Sequence, residues 1–274
     1  MIDTCVAVVS LNVPFARIHD NLGRMAGYIK EAGEKGARMI CFPELGITGY
    51  ATGDKIEHAA IPVNGNEVGV LKDLSTRHNV VILAGLAEKD KANHIYATHL
   101  VIMPDKTVAI YRKLHIAPPE KKIFKAGKNI EIFEWNGFRF GIQLCYDAHF
   151  PELTTEMALK GVDAVFIPHA SPRGTPEGKF DSWMRHLSAR AYDNGIFIIA
   201  CNQCGKNGNG LTFPGLVIVI GPSGEVLTSE TSGHDSMVVT TLLKQDIDDV
   251  RNHRMRYFLP NRRPELYRHL QTGI

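Results

Sequence analysis

Apolar and polar positions in the chain follow two periods that exchange with one another. Thr4 to Ser10 is an apolar, β-branched run of the kind a buried strand needs. After it Ile18, Leu22, Met25, Ile29 and Ala32 recur at steps of four and three, the spacing of one helix face. Arg38 to Phe42 is a second apolar run, ended by Pro43, and a helical stretch near Glu67 to His78 precedes strand-like runs at Val80 to Ala87 and His94 to Met103. Pro104-Asp105-Lys106 turns into Thr107 to Arg112. Asn136-Gly137, between Ile130 to Trp135 and Phe138 to Leu144, is a two-residue hairpin signal. Asp163 to Pro168 reads as a strand; Phe180, Trp183, Met184, Leu187 and Ala191 mark a helix face before the strand Ile196 to Cys201, and Pro222-Ser223-Gly224 joins two more strands. Antiparallel pairs thus sit among βα units, and about a dozen strands with four or five helices must cover every sheet face. The pattern predicts an α/β chain folded as a four-layer αββα sandwich, two mixed sheets with helices on the outer faces.

Composition narrows the possibilities. The 274 residues, 44% hydrophobic and 22% charged, can fill a sizeable core, and no repeat or long linker divides them, so 1–274 reads as a single domain. Its tail from about Arg251 carries Arg254, Arg256, Arg262 and Arg263 with Tyr257, Phe258 and Tyr267, and reads as a docked extension or subunit contact. A formal net charge of +2 argues against a nucleic-acid partner. Five cysteines, an odd count, point to a reducing compartment, hence the cytoplasm, and Met1 to Ser10 lacks the basic start of a secretory signal. No apolar run reaches the ~18 residues of a membrane span. Cys201-Asn202-Gln203-Cys204 has metal or redox spacing but no second pair, the twelve histidines are scattered, and Gly205, Gly208 and Gly210 lack the ending of a phosphate loop. Neither metal nor cofactor is expected. Ser171 to Gly178 and Gly205 to Gly215 read as candidate substrate loops.

Three polar residues stand close behind apolar strands. Cys145 follows Phe138 to Leu144, with Pro151 suited to a helix start just beyond. That position exposes a thiol at a strand-to-helix turn, although a buried structural cysteine fits the same pattern. Glu44 stands in Phe42-Pro43-Glu44-Leu45-Gly46-Ile47-Thr48-Gly49-Tyr50, either at a strand's end or capping the surface. Lys113 closes Tyr111-Arg112-Lys113 and, taken alone, reads as solvated.

Together these segments resemble the nitrilase superfamily of carbon-nitrogen hydrolases. The family's Glu, Lys, Cys order is matched by Phe-Pro-Glu at Glu44, Tyr-Arg-Lys at Lys113 and Cys-Tyr-Asp at Cys145, with Phe150-Pro151-Glu152 downstream. Glu120-Lys121-Lys122-Ile123-Phe124, running to Gly127, is similar to the family's loop with a second active-site glutamate. Ala189-Arg190-Ala191 with Asn194, Asn202, Pro222-Ser223-Gly224-Glu225 and Arg262 to Tyr267 extend the likeness over nearly the whole chain. The resemblance implies Cys145 as nucleophile, Glu44 as general base, and Lys113 with the Tyr146 N–H as oxyanion donors. It implies Glu120 as the residue holding Lys113 in register, and His115 as a loop-orienting residue. It implies a hydrolase of small amides or N-carbamoyl amines working through a thioester. A nitrile substrate is the alternative, and a silent binding protein or a metal-dependent hydrolase are readings of other classes. It also implies a homodimer or larger even-numbered assembly. Many members carry Arg or Trp where this chain has His149. His149, His169 and Ala170 are expected to line the pocket with Tyr146. Arg173, expected to face solvent, leans the reading toward neutral or cationic substrates.

Overall fold

The computed structural model describes residues 1–266, so Tyr267 of the tail lies outside the described residues. The first half of the chain forms β1 (Thr4–Asn12), α1 (Ile18–Glu34), β2 (Met39–Cys41), α2 (Asn66–His78), β3 (Val81–Lys89), β4 (Ile95–Ile102) and β5 (Val108–Arg112). The second forms β6 (Ile132–Trp135), β7 (Phe138–Ile142), α3 (Pro151–Leu159), β8 (Ala164–His169), α4 (Pro176–Asn194), β9 (Phe197–Lys206), β10 (Thr212–Pro214), β11 (Val217–Ile220) and β12 (Val226–Glu230). β13 (Ser236–Leu242) then returns to pair antiparallel with β1, from Thr4 opposite Leu242 to Ser10 opposite Ser236, and α5 (Lys244–Arg251) follows.

The strands build two mixed sheets of like design. One runs β13-β1-β2-β3-β4-β5 and the other β6-β7-β8-β9-β11-β12, each parallel at its centre and antiparallel at its edges. They meet along a seam of two residues, where Leu11 and Asn12 of β1 pair in parallel with Gln203 and Cys204 of β9. β1 and β9 outrun the apolar cores that mark them in the sequence, and the extra residues make this join.

Alternation along β1 shows how the layers stack. Ala7, Val9 and Leu11 share a core with Leu22, Met25, Ile29 and Ala32 of α1, whereas Val6 and Val8 face the other way, into the core formed with the second sheet. On the far side of that second sheet, Trp183, Leu187 and Ala191 of α4 complete the same core. Packing, not propensity, holds α1 in place. Gly23 and Gly27 cost it about 1 kcal/mol each and its N-cap has no side-chain bond, whereas each of its fully buried Met25 and Ile29 contributes about 1.5–3 kcal/mol.

Both expected loops are shorter than the sequence suggests. Thr175 caps α4, its hydroxyl accepting from the Gly178 N–H at 3.1 Å, so the helix absorbs 176–178. β9 continues to Lys206 and pairs with β10, leaving 207–211 as the connection. No helix among the described residues is long and apolar enough to cross a membrane.

Candidate active site

β2 ends at Cys41 and the chain passes Phe42 and Pro43 before it delivers Glu44 into the space between the sheets, where it is 1% exposed. Leu45 takes a left-handed φ of 55°, costly for a leucine, and the loop presses against β3 because position 85 is glycine. A Cβ there would run into the Leu45 nitrogen. Glu44 is held at three points. Its Oε1 accepts from Lys113 Nζ at 2.9 Å, its Oε2 accepts from the Ala170 N–H at 2.9 Å, and its carbonyl accepts from Gln203 Nε2 at 2.8 Å. Lys113, just past β5, is equally buried. It donates a second bond to Glu120 Oε2 at 3.0 Å, and the Tyr50 hydroxyl donates to Glu120 Oε1 at 3.0 Å.

Cys145 comes from the second sheet. It has a left-handed φ of 46° and opens a 3-10 turn, Cys145–His149, that precedes α3. α3 begins at Pro151, where the sequence puts a helix start, but six residues beyond the thiol, so the 3-10 turn and not the helix N-terminus lies directly behind Cys145. Asp147 explains the tighter turn. Fully buried, it accepts from the Leu144 N–H at 3.0 Å, the His115 N–H at 2.7 Å and the Tyr111 hydroxyl at 2.8 Å, with His115 Nδ1 at 2.9 Å. One carboxylate thus closes the Cys145 turn and ties it to the segment carrying Lys113. His115 stacks on Phe150 at 3.8 Å, sealing this side.

Charge in the site is uneven: one ammonium lies between two carboxylates. Burial disfavours the Lys113 cation, but Glu44, Cys145 and Glu120 outweigh it and raise its pKa well above that of an ordinary lysine. Burial lifts the Glu44 carboxyl above the usual range; Lys113 opposes this and Glu120 adds to it. The half-buried Cys145 thiol is raised too, first by desolvation and then by Glu44, against the pull of Lys113. A thiol so placed needs a base in order to react, and Glu44, the carboxylate that acts on it most strongly, has an enhanced proton affinity.

The other expected residues divide. Ala170 reaches the site through its N–H on Glu44. His169 is buried as a stacking partner of Trp183, at 3.9 Å, with Nδ1 2.7 Å from the Ile167 carbonyl; desolvation keeps it neutral. Tyr146 stands half-buried beside the exposed His149, 5.6 Å between ring centres, and His149 packs on His186 at 4.7 Å. Arg173 is exposed on the 171–175 loop. Three residues escaped the sequence reading. Asp147 and Tyr50 lay inside the strings that carry Cys145 and Glu44, but nothing in one dimension showed what they bond. Lys179, on α4, had no signal at all, since it falls beside the apolar face that starts at Phe180. Among the described residues no group of three or more His, Cys, Asp or Glu side chains could hold a metal ion.

The chain is similar to known proteins over most of its length. The carbon-nitrogen hydrolase family model matches residues 5–252. A probable nitrilase from Schizosaccharomyces pombe is 30% identical over 273 residues, covering 97% of each chain. An N-carbamoylputrescine amidase from Solanum lycopersicum is 27% identical over 93% of this chain and 91% of its own. A solved amidase from Nesterenkonia AN1, of the nitrilase superfamily, superposes with a TM-score of 0.81 at 23% identity over 97% of both chains. With a match of this extent and a fold to go with it, the chain belongs to the carbon-nitrogen hydrolase family.

Proposed function

We propose that this protein hydrolyses the carbon-nitrogen bond of a small linear amide or N-carbamoyl amine by way of a thioester on Cys145. The observation that carries the reading is the buried Lys113 ammonium bridging Glu44 and Glu120 beside a thiol that does not ionise unaided. Glu44 takes the thiol proton as Cys145 Sγ bonds to the carbonyl carbon. Lys113 and the Tyr146 N–H stabilise the negative oxygen of the tetrahedral intermediate. As the C–N bond breaks, Glu44 returns the proton to the departing nitrogen. It then takes a proton from the water that attacks the thioester, and finally restores the thiol as the S–C bond breaks and the acid leaves. Glu120 positions Lys113 and, through Tyr50, is itself fixed.

The amidase name of the tomato relative supports the amide reading, and the fission-yeast relative keeps a nitrile as the second choice. The test is ammonia release from amides, N-carbamoyl compounds and nitriles, with mass analysis of enzyme quenched in turnover. An acyl adduct on Cys145 with release from amides or N-carbamoyl compounds is expected; release from nitriles alone overturns the substrate class, and turnover by Cys145→Ala overturns the mechanism.

A cytoplasmic location and a homodimer complete the proposal. Tyr192 and Phe258, exposed and 5.4 Å apart, put an apolar pair at the surface that includes the tail. Sedimentation at micromolar concentration showing only monomer contradicts it.

A further inference from the structure

Lys179 lies in the first turn of α4, an unfavourable place for a cation, where the helix dipole opposes it. It is half-buried, and among the described residues no carboxylate pairs with it. Its one side-chain bond is from Nζ to the Ser171 Oγ, at 2.9 Å. Ser171 in turn is clamped by Asn202. Its N–H donates to Asn202 Oδ1 at 2.9 Å and its carbonyl accepts from Asn202 Nδ2 at 3.0 Å. It is also the residue after Ala170, whose N–H holds the Glu44 carboxylate. Nζ is therefore hydrogen-bonded to the residue next to the one that grips the base. The Ser171 hydroxyl accepts from Lys179 and has its own proton left to donate.

We propose that the Lys179 ammonium and the Ser171 hydroxyl together receive a carboxylate carried by the substrate, so that the site takes acidic amides: monoamides of short dicarboxylic acids, or N-carbamoyl amino acids. The inference rests on the amide reading above and names the substrate class within it. Charge agrees. Glu44, Glu120 and Lys113 leave the reacting centre one negative charge in excess, which disfavours a substrate carboxylate among them; Lys179, outside that ion-paired group, is the cation left to receive it. Burial lowers the pKa of the Lys179 ammonium, and only Cys145 pulls it back, which leaves a desolvated cation that an anion would satisfy. The pair is held in place before any substrate arrives, which reduces the entropy lost on binding. The exposed Arg173, expected to decide this preference, is not needed for it.

The experiment compares kcat/KM for two matched pairs, glutaric acid monoamide against pentanamide and N-carbamoyl-β-alanine against N-carbamoylpropylamine. Wild type, Lys179→Met, Lys179→Arg and Ser171→Ala are each assayed. In wild type at least one acid should be preferred to its neutral partner by roughly ten- to a hundredfold, the range for a hydrogen bond to a charged group. The preferred pair shows whether the carboxylate rides on the acyl or the amine side. Lys179→Met should bring that ratio to near one, chiefly through KM for the acid, and Lys179→Arg should keep part of it. Equal rates within both pairs in wild type overturn the inference while leaving the amide reading intact. So does a Lys179→Met enzyme that loses the same factor on acid and neutral substrates. Inactivity on all four compounds with no adduct on Cys145 overturns both.

Discussion

Two adjacent basic residues close β5, and strand alternation sends them to opposite faces. Arg112 lies over the Tyr96 ring, 4.1 Å from its centre, and makes two bonds to Glu88, at 2.8 and 2.5 Å, while Thr98 donates to the same carboxylate at 2.6 Å. Lys113 lies between Glu44 and Glu120 and is 1% exposed. The Arg112 pair is balanced, one charge against one, and both Glu88 oxygens are bonded. The Lys113 group is not: it carries a surplus carboxylate and a neutral thiol next to it. Balance of this kind is how a structure stabilises itself, whereas an excess of proton acceptors around a nucleophile is of use only when a substrate consumes it.

Substitutions on the Lys113 side should act on turnover. Cys145→Ala is expected to abolish it, and Glu44→Gln to lower kcat by about 10³-fold or more, measured as ammonia release, with a folded protein by circular dichroism in both cases. Lys113→Met should lose roughly 10²–10³ in kcat as an oxyanion donor disappears. It should also lose stability, because two carboxylates are left buried without their cation. On the other face Arg112→Met should cost about 1–3 kcal/mol by urea unfolding, less than a fully buried pair because the arginine side chain is 32% exposed, and should change kcat little. Comparable losses of kcat in the two variants would erase the distinction drawn here.

Smaller effects sharpen it. Tyr50→Phe removes one hydrogen bond to Glu120 and should lower kcat by roughly fivefold, about 1 kcal/mol, without altering the fold. His99, buried on β4 beside Gly85 with neither ring nitrogen well bonded, is driven by desolvation down to about 3. Its neutral form belongs to the folded state, so its contribution is whole above pH 6.5 and is lost as pH falls toward 3. Roughly 2 kcal/mol should be gone by pH 5. His99→Gln should flatten that acid limb in urea midpoints recorded between pH 7 and 5. An unchanged limb would assign acid sensitivity to other groups. Prolonged chelation should have no effect on rate, and recovery of a chelated enzyme by zinc would contradict the metal-free mechanism.

The sequence disclosed the elements better than their ends. Periodicity found α1, α4 and every strand of the parallel centres, because their apolar faces are long enough to count. It missed β13 and α5: β13 is half-buried along most of its length, and α5 buries only Ile247 and Val250. The extra residues of β1 and β9 that make the seam were invisible for another reason: Asn12, Gln203 and Cys204 are polar or small, and their pairing lies between distant parts of the chain. In the site, Glu44, Lys113, Glu120 and Cys145 were legible through motif order alone. The helix start at Pro151 was legible too, but the 3-10 turn that Asp147 closes between it and Cys145 was not, since a side chain that closes its own backbone leaves no periodic trace.

The two-residue seam has a consequence in time. Glu44 and Lys113 come from the first sheet and Cys145 from the second, and the bonds that join them, Ala170 and Gln203 to Glu44 and Asp147 to Tyr111 and His115, cross from one sheet to the other. A nascent chain that has emerged only as far as β5 holds a base and no nucleophile. Closing one sheet over the other is the moment at which the thiol meets its base. During refolding, turnover should therefore appear only after helix content has recovered, and a newly made chain stays chemically quiet until it is finished.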